Sequence, residues 1–97
     1  MSESSDFTAL RDVLAERKRQ DAKWGEQNHD PFLYLTILGE EYGETCQAAL
    51  NARFSDKDIA IYSDKMRKLR EEAVQTAAVA LAIVECLDRD KWRWSTP

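Results

Sequence analysis

Five residues in two short segments carry the spacing on which chemistry could be built: Glu40, Glu41 and Glu44 in the first, Glu72 and Gln75 in the second. On a helix, a separation of three residues sets Glu41 and Glu44 side by side on adjacent turns, where like charges repel. The stripe through Tyr34, Leu38, Glu41, Thr45 and Ala48 is otherwise uncharged, so Glu41 interrupts a face that should look inward, with Glu44 at its edge. Glu72 and Gln75 in the same way continue a stripe with Val79 and Ala82. Carboxylates that face one another inside a fold are costly unless a cation compensates them, and Mg²⁺ takes oxygen ligands from one or a few carboxylates together with substrate phosphates. A solvated face is the competing reading, since Thr36, Glu40, Gly43, Gln47 and Asn51 do form a polar stripe and the run from Arg67 to Glu72 is rich in surface ion pairs. Spacing alone leaves both readings open.

These side chains must be positioned by helices. Only three glycines and two prolines occur, there is no Asn-Gly hairpin signal, and no segment alternates as a strand does. A first helix is expected from about Asp6 to Lys23, with Phe7, Leu10, Val13, Leu14 and Arg17 at helical spacing. A polar connection from Trp24 to Asp30 follows. Asp30-Pro31 then starts a second helix, because Asp caps free backbone amides and Pro presets φ where no N–H is needed. That helix should reach about Arg53. The cluster Ser55-Asp56-Lys57-Asp58 is cap-like; a short helical turn through Ile61 and Tyr62 is expected after it, and then a last long helix capped by Ser63 or Asp64 and ending near Asp88. Its seam through Met66, Leu69, Ala73, Thr76/Ala77, Ala80, Ile83/Val84 and Leu87 is apolar, and between Ala73 and Val84 it is apolar almost all round. Such a helix sits at a bundle centre or a dimer seam. Trp92 and Trp94 in the tail are expected to pack on the core or on another subunit.

Composition narrows the function classes. A chain of 97 residues with a charged fraction of 33% and a net charge of −4 is acidic and lacks the concentrated basic face that nucleic acid requires. Its longest apolar run, Ala77 to Val84, is far short of the roughly 20 residues that span a bilayer, and the acidic, serine-containing start from Met1 to Asp6 is no signal peptide. The expectation is therefore a cytoplasmic protein with neither nucleic acid nor membrane as partner. Cys46 and Cys86 each fall in an apolar helical pattern and read as small buried hydrophobes. With one histidine and two dispersed cysteines, a zinc site of the usual kind is excluded, and any metal must be hard and oxygen-ligated.

Glu40-Glu41-Tyr42-Gly43-Glu44 followed by Glu72-Ala73-Val74-Gln75 resembles the paired EExxE and ExxD helical motifs of the MazG-like all-α nucleoside triphosphate pyrophosphohydrolases. The segment from Arg19 to His29 is similar to the lead-in of short phage- and cassette-encoded members, and the likeness extends from about Leu14 to Arg89. Where the family's second motif ends in aspartate this chain has Gln75, whose amide oxygen can coordinate Mg²⁺ but brings no charge.

The resemblance implies a single all-α domain over residues 1–97, a helical bundle of the all-α NTP pyrophosphohydrolase type, assembled as a homodimer or tetramer. It implies cleavage of a (deoxy)nucleoside triphosphate between its α and β phosphates. In that reading Glu41, Glu44, Glu72 and Gln75 hold Mg²⁺ or Mn²⁺ against the phosphates, and Glu40 orients or deprotonates a water. Lys65, Lys68 and Arg70 are candidates to neutralise the phosphate tail, with plain surface charge the competing reading; Trp24 either stacks on the base or packs in the core; and Gln20, Asn28 and His29 either read the base edge or lie on the surface, with Lys23 beside them. Two alternatives stand beside it: a catalytically weak nucleotide-binding or regulatory protein of the same fold, and a helical interaction module whose glutamates are only surface charge.

Overall fold

The computed structural model describes residues 2–55 and 58–92 and consists of three helices, α1 (Ser2–Trp24), α2 (Pro31–Arg53) and α3 (Ile59–Arg89), with no strand among the described residues. The helix boundaries follow from capping chemistry. Asp30 is extended and its carboxylate accepts the free amides of Phe32 and Leu33, both at 3.0 Å, while Pro31 opens α2. Gly25 ends α1 at φ +76°, a left-handed conformation that glycine adopts without steric cost, and its amide donates to the Asp21 carbonyl at 2.8 Å.

The start of α3 corrects the sequence-based expectation. Asp58, not Ser63 or Asp64, is the N-cap, its carboxylate accepting the Ala60 and Ile61 amides at 2.8 and 3.3 Å. The segment through Ile61 and Tyr62 is therefore the first turn of α3 itself. Nothing between Ile59 and Asp64 breaks a helix, so the earliest competent cap wins, and Asp64 instead pairs with Arg67 one turn on. Asp56 and Lys57 of the same cluster lie outside the described residues, as does Trp94. Trp92 packs against the small core of Tyr34, Ala82 and Cys86, beside Ile37 and Ile83.

α3 is the common partner. It packs against α2 and against α1, whereas α1 and α2 make no close backbone approach to each other. Tyr34 lies with Ala82 and Cys86, and Thr45 with Thr76, so α2 runs antiparallel to α3. The contact is lined by Ala48, Ala52 and Ala82, small side chains that let two backbones come close. Cys86 is buried as expected, but Cys46 is exposed, because the face of α2 that meets α3 carries Tyr34, Ala48 and Ala52 and Cys46 falls on the other side.

α1 is attached differently. Its apolar residues Phe7, Leu10 and Leu14 remain exposed. The buried member of that stripe is Arg17, 7% exposed, whose guanidinium donates to Glu85 on α3 through Nε at 3.1 Å and to Asp21 at 3.0 Å. Arg70 adds a second bridge to Asp12 at 2.8 Å. At the far end, Arg89 donates to the Gln27 carbonyl at 3.0 Å and to the Asn28 amide oxygen at 3.1 Å, tying the α1–α2 connection to the last turn of α3.

Docking through a buried guanidinium makes α1 sensitive to a single truncation. Arg17→Ala should cost about 2 kcal/mol in urea denaturation, below the roughly 3–5 kcal/mol of a fully buried pair because Glu85 keeps partial solvent access. Arg67→Ala, which removes an exposed pair, should change stability by less than about 0.5 kcal/mol.

Candidate metal and nucleotide site

Thr45 and Thr76 set the register at which the carboxylate-bearing turns of α2 and α3 meet. Their hydroxyls are 2.8 Å apart; Thr45 also donates to the Glu41 carbonyl at 3.1 Å, and Thr76 lies within hydrogen-bond distance of the Glu41 and Glu72 carbonyls at 3.2 and 2.9 Å. One turn away, Glu41 and Glu44 from α2 and Glu72 from α3 each present a carboxylate oxygen within 4.8 Å of the others. Glu72 is buried, Glu41 half-buried and Glu44 exposed. Oε2 of Glu41 and Oε2 of Glu72 are buried with no hydrogen-bond partner, while Oε1 of Glu72 receives the Lys68 ammonium at 3.0 Å.

Burial, first, and then the neighbouring charges of Glu44, Glu72, Glu16 and Glu40 push the Glu41 carboxyl above its ordinary range. Lys68 pairs with Glu72 at the edge of the set, and its own affinity for a proton is raised by the Glu72 hydrogen bond and charge. A set of three carboxylates, two of them with a buried oxygen lacking a hydrogen-bond partner, and no thiol or imidazole fits a hard divalent cation such as Mg²⁺ or Mn²⁺.

The cluster lies between two recesses. On one side is a cleft of about 410 Å³ between α1 and α2, floored by Tyr34, Ile37, Val79 and Ala82 and reached by Glu41. Gln20, Lys23 and Trp24 line its α1 wall, with the Lys23 ammonium 4.8 Å from the Trp24 ring centre. On the other side, a shallower recess of about 300 Å³ holds Glu44 and Glu72 with Lys65 and Lys68. Glu41, Glu44, Glu72, Lys65 and Lys68 are thus brought together, and Gln20, Lys23 and Trp24 share the adjoining cleft. Gln75 faces that cleft as well, across from α1.

Other candidates sit elsewhere. Glu40 is exposed and outside the cleft lining. His29 packs edge-on against Tyr34, ring centres 5.0 Å apart, and its carbonyl accepts from the Cys86 thiol at 3.7 Å, so it serves the loop's own packing. Asn28 is engaged by Arg89 and by Cys86. Arg70 bridges to Asp12 on the α1 side, away from the second recess.

Two residues escaped the sequence reading. Arg17 was legible as an inward position, but not as the pin of the cleft wall. Glu16 lines the cleft too; its hydrogen bonds from Arg19, at 2.8 and 2.6 Å, hold its carboxyl below the usual range. Helical phase places Glu16 next to Arg17 and nothing in its local spacing flags it.

The raised Glu41 carboxyl has a consequence for stability. A folded-state pKa above the unfolded one favours the metal-free fold below the ordinary carboxylate range, and that contribution disappears as pH rises through the raised value. With a chelator present, Glu41→Gln should therefore melt higher than wild type at neutral pH, and the gap should close as pH falls into the carboxylate range. A mutant that melts lower at neutral pH would contradict the strain assigned to this carboxylate.

No family model, no curated protein and no solved structure matches the chain.

Proposed function

We propose that this chain is an Mg²⁺-dependent nucleoside triphosphate pyrophosphohydrolase, converting a (deoxy)nucleoside triphosphate to its monophosphate and pyrophosphate. The observation that carries the reading is the meeting of Glu41, Glu44 and Glu72 from two helices, two of their oxygens buried without partners, at the edge of a nucleotide-sized cleft. Motif resemblance supplies the reaction class; the donor set and the cleft are what support it in the fold. When bound, Mg²⁺ or Mn²⁺ would offset phosphate charge and make a water available for attack at phosphorus.

The chain's own residues fill the remaining roles. Glu41, Glu44 and Glu72 hold the cation. Lys68 can exchange Glu72 for a phosphate oxygen, with Lys65 beside it in the same recess. Trp24 offers an exposed ring for stacking on a base, while Tyr34, Ile37 and Val79 give the cleft an apolar floor. The neutral amide of Gln75 favours a second reading, a nucleotide-binding protein with weak turnover on the same fold. We prefer the working enzyme because all three carboxylates of the cluster are present.

Pyrophosphate release with Mg²⁺, screened across ribo- and deoxyribonucleoside triphosphates, tests the proposal directly. Glu72→Gln should lower the rate by at least about 100-fold while the fold survives, the scale on which loss of a metal-shell group acts. Gln75→Asp should change the rate only modestly. A wild type that binds nucleotide but releases no pyrophosphate, with hydrolysis restored by Gln75→Asp, would favour the second reading.

The proposal includes a homo-oligomer, dimer or tetramer. Ala73, Ala77, Ala80, Val84 and Leu87 form an exposed apolar stripe on the back of α3, and Phe7, Leu10 and Leu14 are bare on α1. The radius of gyration, 16.0 Å, exceeds the roughly 13 Å of a compact domain this long, as a subunit shaped for an assembly would. Sedimentation at micromolar concentration should give a dimer or larger, and Ala80→Arg should drive it towards monomer. A monomeric wild type would end this part of the proposal.

A further inference from the structure

Glu16, Arg19 and Gln75 line both the cleft beside the carboxylate cluster and a second recess between α1 and α3. Gln75 is the position at which the acidic motif of α3 ends in a neutral amide. A carboxylate from another helix thus lines the same two recesses as the position where the expected one is missing.

Glu16 does not behave as half of an ordinary surface pair. In an exposed ion pair one turn apart both partners are in water, as Asp64 and Arg67 are, at 71% and 76% side-chain exposure. In the Glu16–Arg19 pair the arginine is 57% exposed but the carboxylate only 12%. Arg19 thus bonds both oxygens of a largely buried carboxylate, and the Gln20 amide donates to its Oε2 at 3.3 Å. Glu16 and Glu41 line the same cleft, from α1 and α2 respectively.

We propose that Glu16 is a fourth acidic group of the Glu41, Glu44 and Glu72 site, supplying from α1 the negative charge that Gln75 does not supply from α3. The inference rests on the proposed metal site. Glu16 stands outside the 4.8 Å cluster, so it acts across a hydration water, which Mg²⁺ sheds reluctantly, and not as a direct ligand. Its role is to position and to add charge: the cation is held by two helices of the hairpin and by the facing wall of the cleft.

The experiment is calorimetric titration of the full chain with Mn²⁺ and with Mg²⁺, in the absence of nucleotide. Glu16→Gln should weaken binding by about 10-fold, the scale of lost outer-shell partners. Arg19→Ala, which removes the pair but leaves the charge, should bind at least as tightly as wild type. Gln75→Asp should restore the affinity of Glu16→Gln, and Glu16→Asp should retain most of it. Thermal melting of each metal-free variant checks that the fold is intact. Unchanged affinity in Glu16→Gln overturns the inference while leaving the three-carboxylate site standing, and so does an Arg19→Ala variant as weak as Glu16→Gln. A wild type that binds neither ion overturns both, whereas one that binds ions but hydrolyses no triphosphate removes the proposed activity alone.

Discussion

Three negative charges within 4.8 Å of one another repel, and the rest of the molecule is arranged around keeping them there. The opposing force is local and specific. Thr45 and Thr76 join α2 to α3 through their hydroxyls and reach the carbonyls of Glu41 and Glu72, so the bonds that fix the register involve the same residues whose side chains repel. Alanines at 48, 52 and 82 let the helices approach closely enough for those bonds to form. Lys68 compensates one of the charges, and two carboxylate oxygens are left buried without a donor. Such an arrangement carries unrelieved repulsion, and in the proposed metal site a bound cation would relieve it and couple metal affinity to the stability of the α2–α3 hairpin.

The cleft exists because α1 leans on α3 alone. Had α1 packed through Phe7, Leu10 and Leu14, its apolar stripe would have closed on a neighbour; instead those residues are exposed and the attachment runs through Arg17. A guanidinium makes directional bonds and reaches Glu85 while keeping the helix at a distance, so space remains between α1 and α2. The connection from Gly25 to Asp30 is fixed at its other end by Arg89 and by the packing of His29 on Tyr34. Ion pairs and carbonyl bonds thus place the wall that carries Gln20, Lys23 and Trp24.

Large apolar side chains are distributed in an unusual way for a chain this short. The buried set is dominated by alanine, with Tyr34, Val79 and Cys86, whereas the bulky residues of α1 and the back of α3 face outward. Small side chains serve close helix contact, but they remove little surface from water, so the folded subunit retains much of the apolar area that burial would convert into stability. The proposed assembly would cover that area without entering the cleft, because the stripe through Ala73, Ala80 and Leu87 lies on the opposite side of α3 from Gln75, Val79 and Ala82.

Local chemistry by itself determined the class of the fold, the limits of α2 and the inward phase of the acidic stripes. Asp30-Pro31 has one structural meaning, and residues spaced by three and four share a face whatever surrounds them. The stripes Tyr34–Leu38–Glu41–Thr45–Ala48 and Glu72–Gln75–Val79–Ala82 are both at least half-buried, as their periodicity required. Where several residues were chemically equivalent, context decided. Asp58, Ser63 and Asp64 can all cap, and only the assembled helix shows that the first of them does. Cys46 sits in an apolar run, yet one helical face of α2 is enough to meet α3 and Cys46 is on the other. The α3 partner of Arg17 and the presence of Glu16 and Gln75 in one cleft were set by tertiary structure alone, because they join residues on different helices and no local spacing encodes which helix will stand across the cleft.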